Sequence, residues 1–235
     1  VKEKSVVAKF LVDGTSDTYF LAWTTTPWTL PSNVALCMNA NYDYVTIEKD
    51  GEKFILAKEL LNKHFEEGTY VVLDCQKGAH FERTHYKPLF NFVSPKEEAW
   101  YVVCDDYVTL TDGTGIVHIA PAFGEDDSKV GVRYGLPFIQ MVGEDGKFVE
   151  GCDDLTDVFC KDADKLIIKK LKANNTLFAE LMYEHSYPHC WRCDTPLIYY
   201  ARKSWFVKMT AVKDDLLRVN SEINWIPATN PLIVS

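Results

Sequence analysis

Three stretches of the 235-residue chain carry side chains whose types and spacing could do chemistry. The first is Trp23-Thr24-Thr25-Thr26-Pro27-Trp28-Thr29-Leu30-Pro31-Ser32-Asn33. Pro27 has no N–H and holds Thr26 extended, so a strand carrying the three threonines cannot continue as an ordinary ladder. Hydroxyls and freed backbone N–H groups then line the strand's end, where they can hold a ribose, a phosphate or a developing oxyanion without a charged partner. Threonine is also simply a good strand former, and the run alone does not separate the two readings. The second stretch runs from Asp112 to Asp127 and holds His118 and the adjacent pair Asp126-Asp127. On a strand, Ile116, His118 and Ala120 share one face, so His118 has apolar neighbours. A helix starting near Glu125 to Asp127 keeps its carboxylates ionised through the helix dipole, which suits binding an ammonium, while one of the two aspartates can serve as the cap. A lone histidine of this kind reads first as a satisfied core residue. The third stretch is His185-x3-His189-Cys190-x2-Cys193, two thiolates at knuckle spacing. Structural zinc usually takes two such pairs, and the cysteines at 37, 75, 104, 152 and 160 are scattered singly. A complete zinc site within this chain is therefore not expected, although the two histidines could in principle complete one and a partner pair could lie in flanking sequence.

Positioning these groups requires a sheet. Short β-branched and aromatic runs recur between turn signals at Val6 to Val12, Thr18 to Thr25, Tyr42 to Glu48, Lys53 to Ala57, Thr69 to Asp74, Ala99 to Cys104 and Gly115 to Ile119. So many closely spaced strands predict an α+β domain with a curled, barrel-like sheet core and surrounding helices. Asp50-Gly51 is a hairpin dipeptide, and Asp112-Gly113-Thr114-Gly115 is a looser turn that throws the next strand. Helical faces are formed by Ala57, Leu60, Leu61 and Phe65, by Ala163, Leu166, Ile167 and Leu171 with Asp162 as cap and Asn174 or Asn175 as stop, and by Ala211 to Val219. The lysines at 165, 169, 170 and 172 read as a solvated face rather than an RNA-binding one. From Met182 the character changes, so residues 1–181 are read as the domain core. Residues 182–235, with the extended Pro196 to Tyr200 and Ser204 to Val207 stretches, are read as a segment returning to a larger body, ending in an aperiodic tail.

Composition narrows the function. Thirty-four acidic against 25 basic residues give a net charge of −9, which excludes a long duplex held along a basic face but admits a short single-stranded end. The apolar runs are far shorter than the roughly 20 residues that span a bilayer, and seven cysteines without framework spacing point to reduced thiols in a cytoplasmic compartment. A first residue that is valine rather than methionine suggests a piece of something longer.

Taken together, the threonine–proline stretch, the Gly113 to Asp127 segment and the His185 to Val207 segment resemble the editing (CP1) insertion of isoleucyl-tRNA synthetases, from about Val6 to Pro227. Leucyl enzymes have arginine and glutamate where this chain has Pro27 and Trp28, and His-Cys-Trp-Arg-Cys with Ser204-Trp205-Phe206-Val207 is isoleucine-type rather than valine-type. The signatures of the synthetic core, His-Ile-Gly-His and Lys-Met-Ser-Lys-Ser, are absent from the chain. The resemblance implies hydrolysis of the ester joining valine to the terminal adenosine of isoleucine tRNA, with valyl-adenylate a further possible substrate and no aminoacylation. One missing methylene supports only roughly 10- to 200-fold discrimination in a binding pocket, which is why a second, smaller pocket is needed. By motif position, Asp127 would bind the substrate's α-ammonium; Thr24, Thr25 and Thr26 would hold the adenosine and shape the pocket; His118 would wall off the extra methylene. Trp28, Thr29 and Asn33 match positions near the site. Water is the expected nucleophile, with no cofactor. The partners implied are the aminoacylated 3′ end of the tRNA and the remainder of a synthetase. Ala122-Phe123, where many bacterial members carry Gly-His, and Glu125 resemble the eukaryotic cytosolic branch. The open alternatives are a valyl- or leucyl-type editing module, a non-catalytic insertion that positions tRNA, and a zinc-dependent RNA-binding module.

Overall fold

The computed structural model describes residues 2–184 and 188–224. It divides into two compact units, Val1–Ala201 and Arg202–Ser235. The first holds nine strands: β1 (Lys2–Leu11), β2 (Thr18–Thr24), β3 (Ala35–Met38), β4 (Asp43–Lys49), β5 (Glu52–Ala57), β6 (Val71–Lys77), β7 (Tyr101–Cys104), β8 (Val117–Ile119) and β9 (Leu177–Glu184). They form one sheet in the order β6-β4-β5-β2-β8-β3-β7, with β1 joining β2 to β9. Its helices are α1 (Leu61–His64), α2 (Gly78–Phe81), α3 (Glu125–Tyr134) and α4 (Cys160–Ala173). This is the expected α+β architecture, a sheet curled into a half-barrel. In the second unit, a 3-10 turn at Met209–Ala211 precedes α5 (Lys213–Ser221), whose Leu216, Leu217 and Val219 are exposed.

Strand alternation sorts the apolar residues onto two faces. Val6, Ala8, Phe10, Phe20 and Ala22 face the main core, closed by Ile167, Ile168 and Leu171 of α4. Val7, Leu21, Ile47, Phe54 and Leu56 face a smaller cluster with Leu61 and Phe65. Asp50 (φ 52°) and Gly51 (φ 82°) make the expected tight hairpin between β4 and β5.

Two strands escape the sequence reading. Strand β3 is four buried residues long and too short to show alternation. Strand β9, LFAELMYE, is rich in good helix formers and is extended because it pairs along β1 from Lys2↔Glu184 to Ala8↔Leu177. The helical face from Ala57 to Phe65 is corrected. Ala57 ends β5, its N–H bonded to the Thr114 carbonyl, and the rest splits into a 3-10 turn at Lys58–Leu60 and the single turn α1. Helix α4 begins at Cys160 with Phe159 as its cap, so Asp162 lies inside the first turn, and Asn174 ends it as expected. The Ala211 to Val219 helix is displaced to Lys213–Ser221, and Pro196 to Tyr200 and Ser204 to Val207 form no strand.

The glycine turn before β8 is sterically committed. Gly115 has φ +74°, and a Cβ there would lie 2.3 Å from the Ala57 Cβ. Gly115→Ala should therefore cost about 2 kcal/mol or more, visible as a lowered midpoint in thermal or denaturant unfolding.

Candidate functional site

A strand has two edges, and the whole of one edge of β2 is taken by β1, from Val6↔Thr24 to Leu11↔Tyr19. Its other edge is shared: β5 pairs Thr18 to Phe20, and β8 pairs only Trp23, with Val117. Beyond that pair the two parallel strands separate, because Pro27 ends the ladder and the chain turns into a 3-10 segment at Pro27–Ser32. The wedge is a cavity of about 260 Å³ lined by Trp23, Thr24, Thr25, Thr26, Thr29, Val117, His118, Ala120, Phe123, Gly124 and Asp127. The first two chemical stretches of the sequence thus meet in one hollow.

Its hydroxyl wall is internally wired. The Thr29 hydroxyl donates to the Thr26 carbonyl at 2.8 Å, and the Thr26 N–H donates to Thr24 Oγ1 at 3.1 Å. The Thr26 hydroxyl lies 3.3 Å from both Thr24 Oγ1 and Thr29 Oγ1. With its proton committed to the carbonyl, Thr29 Oγ1 must accept from His118 Nε2 at 2.9 Å. That assigns the Nε2–H tautomer and leaves Nδ1, which has no partner among the described residues, as an acceptor. His118 is 7% exposed, and burial lowers its pKa to about 4, so its imidazole is neutral at physiological pH. Its ring forms part of the cavity wall.

Opposite stands Asp127, in the first turn of α3. The cap of that helix is Gly124, and neither aspartate caps it. Asp126 instead faces Lys129, while the Asp127 carboxylate turns back so that Oδ2 accepts the Ala120 N–H at 2.9 Å. Gly124 makes room for this: a Cβ there would sit 2.9 Å from the Asp127 Cγ. Asp127 stays mostly ionised at neutral pH, as expected, but its surroundings do not favour the charge. Burial is the largest influence on Asp127 and raises its pKa to about 6, with hydrogen bonding to the Ala120 N–H opposing it. The Ala120 N–H donates to its carboxylate but does not offset burial, so the charge is only partly compensated.

Trp28 and Asn33 do not line the cavity. Trp28 is buried behind it, its ring edge-on to Phe123 with centroids 5.0 Å apart and its backbone N–H donated to Asp164 Oδ1 at 2.9 Å. Asn33 braces the fold, donating to the Ala35 carbonyl and accepting from the Tyr86 hydroxyl. Trp23, Val117, Phe123 and Gly124 are lining residues that the sequence reading did not single out. All lie within the quoted stretches, but only the wedge geometry brings them to the cavity. Cys190 and Cys193 lie on one turn, the Cys193 sulfur 3.0 Å from Thr195 Oγ1, and His185 lies outside the described residues. Among the described residues no group of three or more His, Cys, Asp or Glu side chains is placed to hold a metal ion.

No protein-family profile matches the chain. Curated relatives do: an isoleucine–tRNA ligase of Clostridium novyi is 53% identical over 227 residues, covering 97% of this chain and 22% of that protein. The chain is homologous to an internal segment of isoleucine–tRNA ligase. The ligase of Bacillus thuringiensis matches at 44% identity over 230 residues, again across 97% of this chain and 22% of its own length. The chain thus spans about a fifth of the length of the ligases it matches. These ligases are bacterial, and they lend no support to a eukaryotic branch. Among solved structures, GlLeuRS-CP1 superposes with a TM-score of 0.59 at 14% identity, covering 78% of this chain and all of that one. The cytosolic leucyl-tRNA synthetase editing domain of P. falciparum gives 0.56 at 12% identity, with the same coverages. The ligase segment therefore has the CP1 editing-domain fold.

Proposed function

We propose that the chain is a post-transfer editing hydrolase, cleaving the ester of valine mischarged onto isoleucine tRNA. The observation that carries this reading is the placement of Asp127 and His118 in one small cavity with the threonine wall. An under-compensated carboxylate suits an α-ammonium, a buried neutral ring limits side-chain length, and uncharged hydroxyls suit a ribose and its ester. Asp127 anchors the ammonium through the carboxylate oxygen not held by Ala120. Thr24, Thr25 and Thr26 hold the terminal adenosine, and Thr29 holds His118 against the side chain. Water adds to the ester carbonyl, threonine-wall donors stabilise the oxyanion, and the neighbouring ribose hydroxyl relays a proton to the departing ribose oxygen. His118, with its pKa lowered to about 4 by burial, is too weak a base to be assigned the proton abstraction. Every group in this scheme comes from protein, water or substrate, and metal analysis of the purified chain tests the zinc-dependent alternative at Cys190 and Cys193.

The partner is the aminoacylated 3′ end of isoleucine tRNA, with valyl-adenylate a second substrate and the rest of the synthetase docking the tRNA body. A charge of −9 suits contact with a short single strand rather than a duplex. The compartment proposed is the cytoplasm; among the described residues no helix is long and apolar enough to cross a membrane. Deacylation assays with valyl-, threonyl- and isoleucyl-tRNA decide the reading. Valyl ester should be hydrolysed and isoleucyl ester spared; an inert chain would leave only a tRNA-positioning role, and threonyl preference would indicate a valyl-type module.

A further inference from the structure

The 3-10 turn at Pro27–Ser32 has an unusual cap. Its N-terminal residue Thr26 makes no side-chain capping bond. Pro27 has no amide proton, and the Thr29 N–H is taken by the Thr26 carbonyl at 3.0 Å. The amide left without a local partner is that of Trp28, a residue only 2% exposed, where an unmet donor is costly. Its acceptor comes from 136 positions along the chain, Asp164 Oδ1 on α4. We infer that Asp164 is a positioning residue for size discrimination: a remote cap on α4 that fixes the turn and, through it, two walls of the cavity.

The coupling follows from what the turn carries. Thr29 holds His118 by its Nε2, and the Trp28 ring packs against Phe123. Both His118 and Phe123 line the hollow, whereas Asp164 does not. Excluding one methylene demands that these walls hold their places to a fraction of an ångström, and a misplacement of about 1 Å originating far from the chemistry can cost on the order of 100-fold. The Trp28 amide is neutral, so what it needs from Asp164 is an acceptor at Oδ1.

This rests on the editing reading, and the test separates the two. The rates of valyl- and isoleucyl-tRNA hydrolysis are measured for the full chain and for Asp164→Ala, Asp164→Leu and Asp164→Asn, each well below its own unfolding midpoint. The valyl-to-isoleucyl ratio should fall roughly 10- to 100-fold in Asp164→Ala. Asp164→Leu, which fills the space without an acceptor, should fall alike and covers the case in which the alanine variant does not fold. Asp164→Asn, which keeps the acceptor, should stay within about threefold of the parent. Loss of fold alone lowers both rates together and does not move the ratio. An unchanged ratio in the alanine and leucine variants, or an equal fall in the asparagine variant, overturns the role assigned to Asp164 while leaving the editing reading intact. A parent chain inert toward both esters overturns the editing reading and this inference with it.

Discussion

Replacing Asp127 by asparagine should slow valyl-tRNA deacylation by roughly 30-fold to several thousand-fold, the range corresponding to loss of one partner from a buried charge pair worth about 2–5 kcal/mol. Asparagine can still accept the Ala120 N–H that Asp127 Oδ2 accepts at 2.9 Å, so the turn into α3 should survive. What disappears is the negative charge facing the α-ammonium. The same substitution should make the protein more stable at neutral pH. Burial raises the Asp127 pKa from 3.8 to about 6, so the folded state binds its proton more tightly than the unfolded chain does. Ionised Asp127 therefore costs stability above pH 6, on the order of 3 kcal/mol, and that cost is relieved as pH falls from 6 toward 4. Asp127→Asn avoids it, so its unfolding midpoint should exceed the parent's at pH 8 and converge with it near pH 4. In the parent, deacylation should decline as pH falls through 6 and the anchor is neutralised. Asp126, exposed and facing Lys129, is the control: its removal should leave both rate and stability nearly unchanged. Full activity in Asp127→Asn would remove the carboxylate from the mechanism.

The sheet's outer course was legible because β4 and β5 are β-branched and aromatic runs on either side of a hairpin dipeptide. Two other strands were not, since β3 is a short, wholly buried run after two prolines and β9 is composed of residues that favour helices until β1 offers them an edge. The site shows the same division. Thr24, Thr25, Thr26, His118 and Asp127 were named from motif and residue type, and the wedge between β2 and β8 brings them together. Trp28 and Asn33 belong to the same motif but serve packing and bracing, a distinction set by which way the turn faces after Pro27. Asp127 is mostly ionised at neutral pH, as expected, but it holds its charge against a burial that raises its pKa to about 6 and that a sequence does not display. Asp164 was out of reach for a related reason: a cap supplied across 136 positions has no local signature.

On the proposed reading His118 sets the size limit, so His118→Ala should open the cavity to isoleucine. The discrimination that one methylene supports, roughly 10- to 200-fold, should collapse toward parity, mainly because isoleucyl-tRNA hydrolysis rises. Valyl-tRNA hydrolysis should change by less than about tenfold, since an imidazole held neutral by burial and donating Nε2–H to Thr29 supplies no proton-transfer step whose loss would cost more. The same electrostatics fix the pH profile. With the His118 pKa lowered to about 4, its titration should not shape the parent's rate between pH 6.5 and 8, the descent below pH 6 belonging to Asp127. The substitution will also lower the unfolding midpoint, because it removes a buried ring and leaves Thr29 Oγ1 without its donor. Destabilisation cannot mimic the diagnostic result, however: a protein losing its fold loses activity, whereas His118→Ala should gain one, toward the ester that the parent spares. A variant that hydrolyses valyl-tRNA and still spares isoleucyl-tRNA would place the size limit elsewhere on the wall, with Phe123 and Val117, which line the same hollow, the next residues to change.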